Sequence, residues 1–309
     1  MSLLLFVRKT LGDCARPRLL IAFLVPYLGI AVLLATLLGG TGPDNLGSAP
    51  LFTQEQALIE LYSQLSFVWL VTFPLLFVAV LAAIVVAGEA EQGTLRILLS
   101  KPVRRWELLV GKFLGITIFG VLSIVAGLFV GAVSLWFATG ASPMALGDSV
   151  LALLPGTVVY GLLVTVFVAA LGSFVGVYTG SQLKTMLVAA LVPVLFFVSV
   201  FLNFLPIEEI YERYYLYVPD VSYHFGNLYV FVQGMLGPEF TPETQTAFAT
   251  VSGIYDTGSA WHDPLVGGIV GSVPLAGHVP PAVSGAVVLL FGIALIVGAL
   301  LWFERMDIQ

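Results

Sequence analysis

Six apolar runs dominate the chain, at about 19–40, 67–87, 113–138, 150–178, 184–205 and 283–303. None holds an Asp, Glu, Arg or His, and the one lysine, Lys184, stands at the edge of the fifth. A helix crossing a bilayer needs roughly 20 mostly apolar residues. Only helices and closed barrels satisfy every backbone polar group in lipid. Barrel strands would be short and would alternate in polarity, whereas these runs are continuously apolar. The expected fold is therefore an all-α integral membrane protein with six transmembrane helices, forming one transmembrane domain over 1–309. Composition agrees: 59% of the residues are hydrophobic and 10% charged, against about 25% charged in soluble domains.

The first run is too long for a signal-peptide core, and no small-residue cleavage site follows it. Ser2 to Leu11 reads as an amphipathic helix on the membrane surface, with Leu3, Leu4, Phe6 and Val7 in lipid and Arg8 and Lys9 at the headgroups. Basic residues favour the cytoplasmic side. With both termini cytoplasmic, eleven of the twelve basic residues fall inside and only Arg213 outside. Twelve of the eighteen acidic residues fall outside, so the net charge of −6 belongs mainly to the outer face. Such an exterior suits a prokaryote of a high-salt habitat.

The first outer loop, 41–66, opens with breaker-rich "GGTGPDNLGSAP" and continues as "TQEQALIELYSQLSF", a helix for which Thr53 is the expected N-cap. The longest connection, 206–282, begins with the aromatic and acidic "PIEEIYERYYLYVPDVSYHF". Within it "FGNLYVFVQGML" reads as a short helix on the outer surface, and "DPLVGGIVGSVPLAGHVPP" as a packed or shallow re-entrant loop. His224, His262 and His278 lie far apart in this connection, without recurrent ligand spacing. They read as solvated or structural histidines, so no metal site is expected. The single cysteine, Cys14, rules out an intramolecular disulfide.

Uncharged spans argue against a proton-driven carrier, since charges inside a bilayer normally mark ion pathways or catalytic groups. A P-loop requires G-x-x-x-x-G-K-[ST]. At the one Gly-Lys pair, Gly111-Lys112, Trp106 replaces the first glycine and Phe113 the hydroxyl residue. No catalytic or cofactor-binding residue is expected in the chain, and uphill movement would need energy from another protein. "GSFVGVYTG" spaces Gly172, Gly176 and Gly180 four apart, a stripe that lets helices approach closely. Packing within the chain is the preferred reading over a dimer seam.

One stretch stands apart. "GEAEQGTLRILLSKPVRRWELLVGKFLG", residues 88–115, gathers five of the twelve basic residues between two spans. Thr94 can cap a short helix with Leu95, Leu98 and Leu99 on one face. Ser100-Lys101-Pro102 breaks it, because proline disfavours helix at the preceding residue. "RRWELLVGKFLG" resumes as a helix leading into the third span, with Trp106 and the Arg pair at the interface. Two helical pieces joined by an elbow suit a partner's groove: the Leu face fills it and the Arg/Glu rim sets register.

These residues resemble the cytoplasmic signature of the ABC-2 type transporter permeases: an acidic residue (Glu89 or Glu91), Gly93-Thr94-Leu95, Leu98-Leu99-Ser100, Pro102, a basic residue (Arg104 or Arg105), and Gly111-Lys112 before the third span. Six spans and the tail Phe303, Arg305, Asp307 match the family's layout. Within the family the chain resembles the branch that includes the permease of the nitrous-oxide-reductase maturation system. The resemblance implies a type V-like ABC-2 architecture in the cell membrane and the permease subunit of an ATP-driven transporter, with export as the expected direction. It implies that 88–112 is the coupling region, with Glu89, Glu91, Gly93, Thr94, Leu95, Leu98, Leu99, Ser100, Pro102, Arg104, Arg105 and Trp106 as its contact residues. It further implies a separate cytoplasmic ATPase that holds the ATP, and a second permease subunit, identical or paralogous. The outer loop 206–282 is longer than is usual in the family. The competing classes are a scaffold or sensor that recruits a cytoplasmic partner without transport, and an ATP-independent secondary carrier.

Overall fold

A computed structural model describes residues 3–41, 46–92, 104–205, 208–263, 268–269 and 271–305. A first helix, α1 (Leu3–Cys14), precedes α2 (Pro17–Gly40), α3 (Leu51–Glu91), α4 (Arg105–Thr139), α5 (Pro143–Thr179) and α6 (Gln182–Leu202). Three shorter helices follow, α7 (Glu208–Arg213), α8 (Val221–Leu236) and α9 (Pro242–Ser252), and then α10 (Pro281–Arg305). The helices α2 to α6 and α10 are each long and apolar enough to cross a membrane. They coincide with the six apolar runs, and the fold is all-α. The one sheet described is a two-residue antiparallel ladder, β1 (His262–Asp263) with β2 (Gly268–Ile269).

Helix α3 is the most buried span and forms the centre of the bundle. Pro74 lies within it and has no N–H to donate to the carbonyl of Leu70, one turn back. The Tyr27 hydroxyl on α2 supplies the missing donor to that carbonyl, at 2.7 Å. The helix widens into π turns at Leu65–Val71 and Ala83–Ala87, and the Thr72 hydroxyl donates back to the Phe67 carbonyl at 3.0 Å. Phe67 lies at the hub of an aromatic core, with ring centroids 5.2 Å from Phe196, 5.4 Å from Tyr229 and 5.1 Å from Phe248. Such offset and tilted pairs add to the energy of simple area burial.

Three local expectations are corrected. Helix α3 begins at Leu51 after Pro50, whose φ of −53° and ψ of 147° make it the N-cap residue. Thr53 therefore lies inside the first turn, and no side chain caps it. Phe6 on α1 is buried against α4, while Leu4 and Leu5 remain exposed. The segment expected on the outer surface is instead embedded: α8 buries Phe225, Leu228, Tyr229 and Val232 against α5, α6 and α10. Most of its polar atoms find partners there, which offsets much of the cost of burying them. The Tyr229 hydroxyl lies 3.1 Å from that of Ser66 and 3.3 Å from that of Thr157. Gln233 donates to the Leu153 carbonyl at 3.1 Å and to the Thr157 hydroxyl at 2.8 Å. Asp220 caps the helix by accepting from the N–H groups of Ser222 and Tyr223.

The glycine stripe on α5 packs within the chain. A Cβ on Gly172 would lie 2.5 Å from that of Ala82, and one on Gly176 would lie 3.1 Å from Val86. The stripe is the seat of α3.

Candidate coupling site at the basic end of the bundle

The helix order brings one set of ends together. The close of α3, the starts of α4 and α6, the last turn of α10 and the whole of α1 meet at one end of the bundle. Among the described residues this end carries every Lys and Arg except Arg213.

Helix α1 is seated by two glycines of α4. A Cβ on Gly111 would collide with Phe6, and one on Gly115 would lie 2.6 Å from Thr10. Phe6, Thr10 and Cys14, spaced by four, are the buried face of α1. This groove places Lys9 beside the end of α3, where its Nζ reaches Glu89 Oε1 at 3.3 Å. The other carboxylate oxygen of Glu89 accepts from Lys112 Nζ at 2.6 Å. Lys112 is 4% exposed, and its ammonium also donates to the Val85 carbonyl at 2.7 Å. A buried ammonium needs both a counter-charge and hydrogen-bond acceptors, and α3 supplies all of them. Glu89 thus joins α1, α3 and α4.

Two neighbours extend the network. Glu91 Oε2 accepts from the backbone N–H of Gln182 at 3.0 Å. A carboxylate at a helix N-terminus is favoured by the unpaired N–H groups and the helix dipole, so α3 is tied to α6 as well. Arg105 donates to the carbonyls of Phe303 and Glu304 at 3.3 and 3.2 Å, meeting the unpaired acceptors in the last turn of α10. Arg104 is exposed at the head of α4 with an extended backbone, and Trp106 is 39% exposed beside it.

Of the expected contact residues, Glu89, Glu91, Arg104, Arg105 and Trp106 stand at this end. Gly93, Thr94, Leu95, Leu98, Leu99, Ser100 and Pro102 lie outside the described residues. Lys9, Thr10, Gly115 and Gln182 also belong to the site, and no sequence motif points to them. Their signal is spatial, because Lys9 meets Glu89 across 80 residues of chain.

At the opposite end His224 is engaged on both ring nitrogens, by the Ser284 hydroxyl at 2.9 Å and the Val218 carbonyl at 2.8 Å. His278 stacks on Tyr217, with centroids 4.3 Å apart and planes 10° from parallel. No group of three or more metal-ligating side chains occurs among the described residues.

The family model for the ABC-2 family transporter proteins matches residues 47–308. The chain belongs to the ABC-2 transporter family. The matched range takes in the whole 88–112 stretch and every membrane-length helix except α2. The chain is also 35% identical over 121 residues to the "Probable ABC transporter permease protein NosY" of Stutzerimonas stutzeri. That match covers 39% of this chain and 40% of the relative, so the chain spans well under half of the relative's length. ABC-2 membership and the six long apolar helices make it a multi-pass membrane protein.

Proposed function

We propose that this chain is the membrane-spanning permease subunit of an ATP-driven ABC exporter, operating as a single domain over 1–309. It has no engine of its own. A separate cytoplasmic ATPase drives it through the 88–112 stretch, and a second permease subunit, identical or paralogous, completes the pore. The basic end of the bundle faces the cytoplasm, because Lys and Arg retained on one side set orientation.

The observation that carries this reading is the position of Glu89, held by Lys9 on one side and Lys112 on the other. The 88–112 stretch begins and ends inside that network. Force applied to it reaches α3 and α4 directly, α1 through Lys9 and the glycine groove, α6 through Glu91, and α10 through Arg105. A partner ATPase biases such a unit only if it binds the two arrangements unequally. The expected contact face is Leu95, Leu98 and Leu99, with Arg104, Arg105 and Trp106 at its rim.

Reconstitution tests the proposal. The chain in proteoliposomes with its companion ATPase is expected to move cargo only when ATP is supplied. Transport by the chain alone, without nucleotide, would contradict it.

A further inference from the structure

The long connection between α6 and α10, with the end of α6, lines an open cavity of roughly 370 Å³ at the end of the bundle opposite the coupling stretch. Its walls come from α7, the segment leading into α8, the end of α9 and the loop that precedes α10. Tyr211, Tyr217, Tyr223 and Tyr255 line it. Tyr217 is held in place by its stack on His278, and Tyr223 by donation from the Val279 N–H to its hydroxyl at 3.3 Å.

Fixed charge in the described lining is acidic. Glu212, Asp220 and Asp256 contribute carboxylates, His278 contributes an imidazole, and no Lys or Arg is among the described lining residues. Arg213 lies beside the cavity in sequence, but its guanidinium sits over Tyr214, 5.7 Å from the ring centroid. The Tyr211 hydroxyl donates to Asp220 at 3.1 Å. The Ser259 hydroxyl holds the Asp256 carboxyl below the usual carboxylate range. Burial pushes the Tyr255 phenol up to about 12, so that ring stays neutral. Neutral aromatic faces together with fixed carboxylates attract a cation and repel an anion. The cavity volume lies within the range of small-molecule sites.

We infer that this cavity binds an alkylammonium group, seated among the tyrosine rings with the carboxylates as counter-charge. The inference is independent of the proposed ATPase coupling. An alkylammonium group can come from a free solute or from a lipid headgroup, and the test separates the two.

The full chain is purified in detergent and titrated with choline, followed by saturation-transfer NMR. The control probe is 3,3-dimethylbutan-1-ol, which has choline's shape without its charge. Choline is expected to bind, with the neutral analogue about tenfold weaker. Tyr217→Leu and Glu212→Gln should each weaken choline by about threefold or more while leaving the melting temperature unchanged. Equal binding of the two probes, no binding of choline to the wild-type chain, or variants that bind as wild type would each overturn the assignment. In nanodiscs, displacement of choline by phosphatidylcholine but not by phosphatidylglycerol would support the site with a lipid headgroup as its source. Undisturbed choline binding in both nanodiscs would support it with a free solute as its source.

Discussion

Lys112 is the residue on which the geometry of the basic end depends most. Its ammonium is almost wholly buried, and its partners are one carboxylate and one carbonyl of the same helix end. Removing Lys112 leaves Glu89 with Lys9 as its counter-charge and the Val85 carbonyl without this donor, a partial form of the penalty for breaking a buried pair. Lys112→Met is expected to destabilise the chain by about 1–3 kcal/mol, read as a lower melting temperature in detergent. The double variant Glu89→Gln/Lys112→Met should recover part of that loss. A single variant that melts like the wild type would show that the pair does not organise this end. The sequence displays Gly111-Lys112 as a motif, but not what the lysine touches. Spacing rules pair residues within one helix, whereas Glu89 belongs to a different helix and Lys9 to a third.

Among the elements, the spans were legible because length and continuous apolarity suffice to identify them. Helix α8 forms as expected, but packed into the bundle rather than on the outer surface. Tyr229, Asn227 and Gln233 look like a wet face in the sequence, and only the folded chain brings Ser66, Thr157 and Ser284 to meet them. Helix α1 is a second case, since its apolar residues suggest lipid contact along the whole face. Part of that face belongs to α4, because Gly111 and Gly115 leave room for it. Gly115→Leu should therefore lift α1 from its groove. Cys14 reports the displacement, since it is fully buried and burial pushes its thiol up to about 12. At pH about 8 the wild-type thiol is expected to react with maleimide at least tenfold more slowly than an exposed cysteine. The Gly115→Leu thiol should react at close to the exposed rate. Equal, slow labelling of both proteins would show that α1 is not held by that groove.

At the scale of the whole molecule, charge is sorted between the two ends. The described Lys and Arg residues other than Arg213 gather where α1, α3, α4, α6 and α10 converge, and a carboxylate-rich aromatic cavity occupies the far end. This polarity was legible in the sequence, because six spans assign each loop to a side and the basic residues then segregate. The ties between helices were not legible, because each joins residues brought near only by folding. Under the proposed coupling the basic end receives the force, and Leu98 is expected on the face that meets the ATPase. The most direct measurement is ATP-driven transport by Leu98→Asp in proteoliposomes with the companion ATPase, alongside copurification of the two proteins. A buried carboxylate in an apolar groove is unfavourable, so Leu98→Asp should lose the ATPase on purification and transport at least about tenfold more slowly, with the membrane helices still folded. Copurification and transport at the wild-type rate would contradict the account.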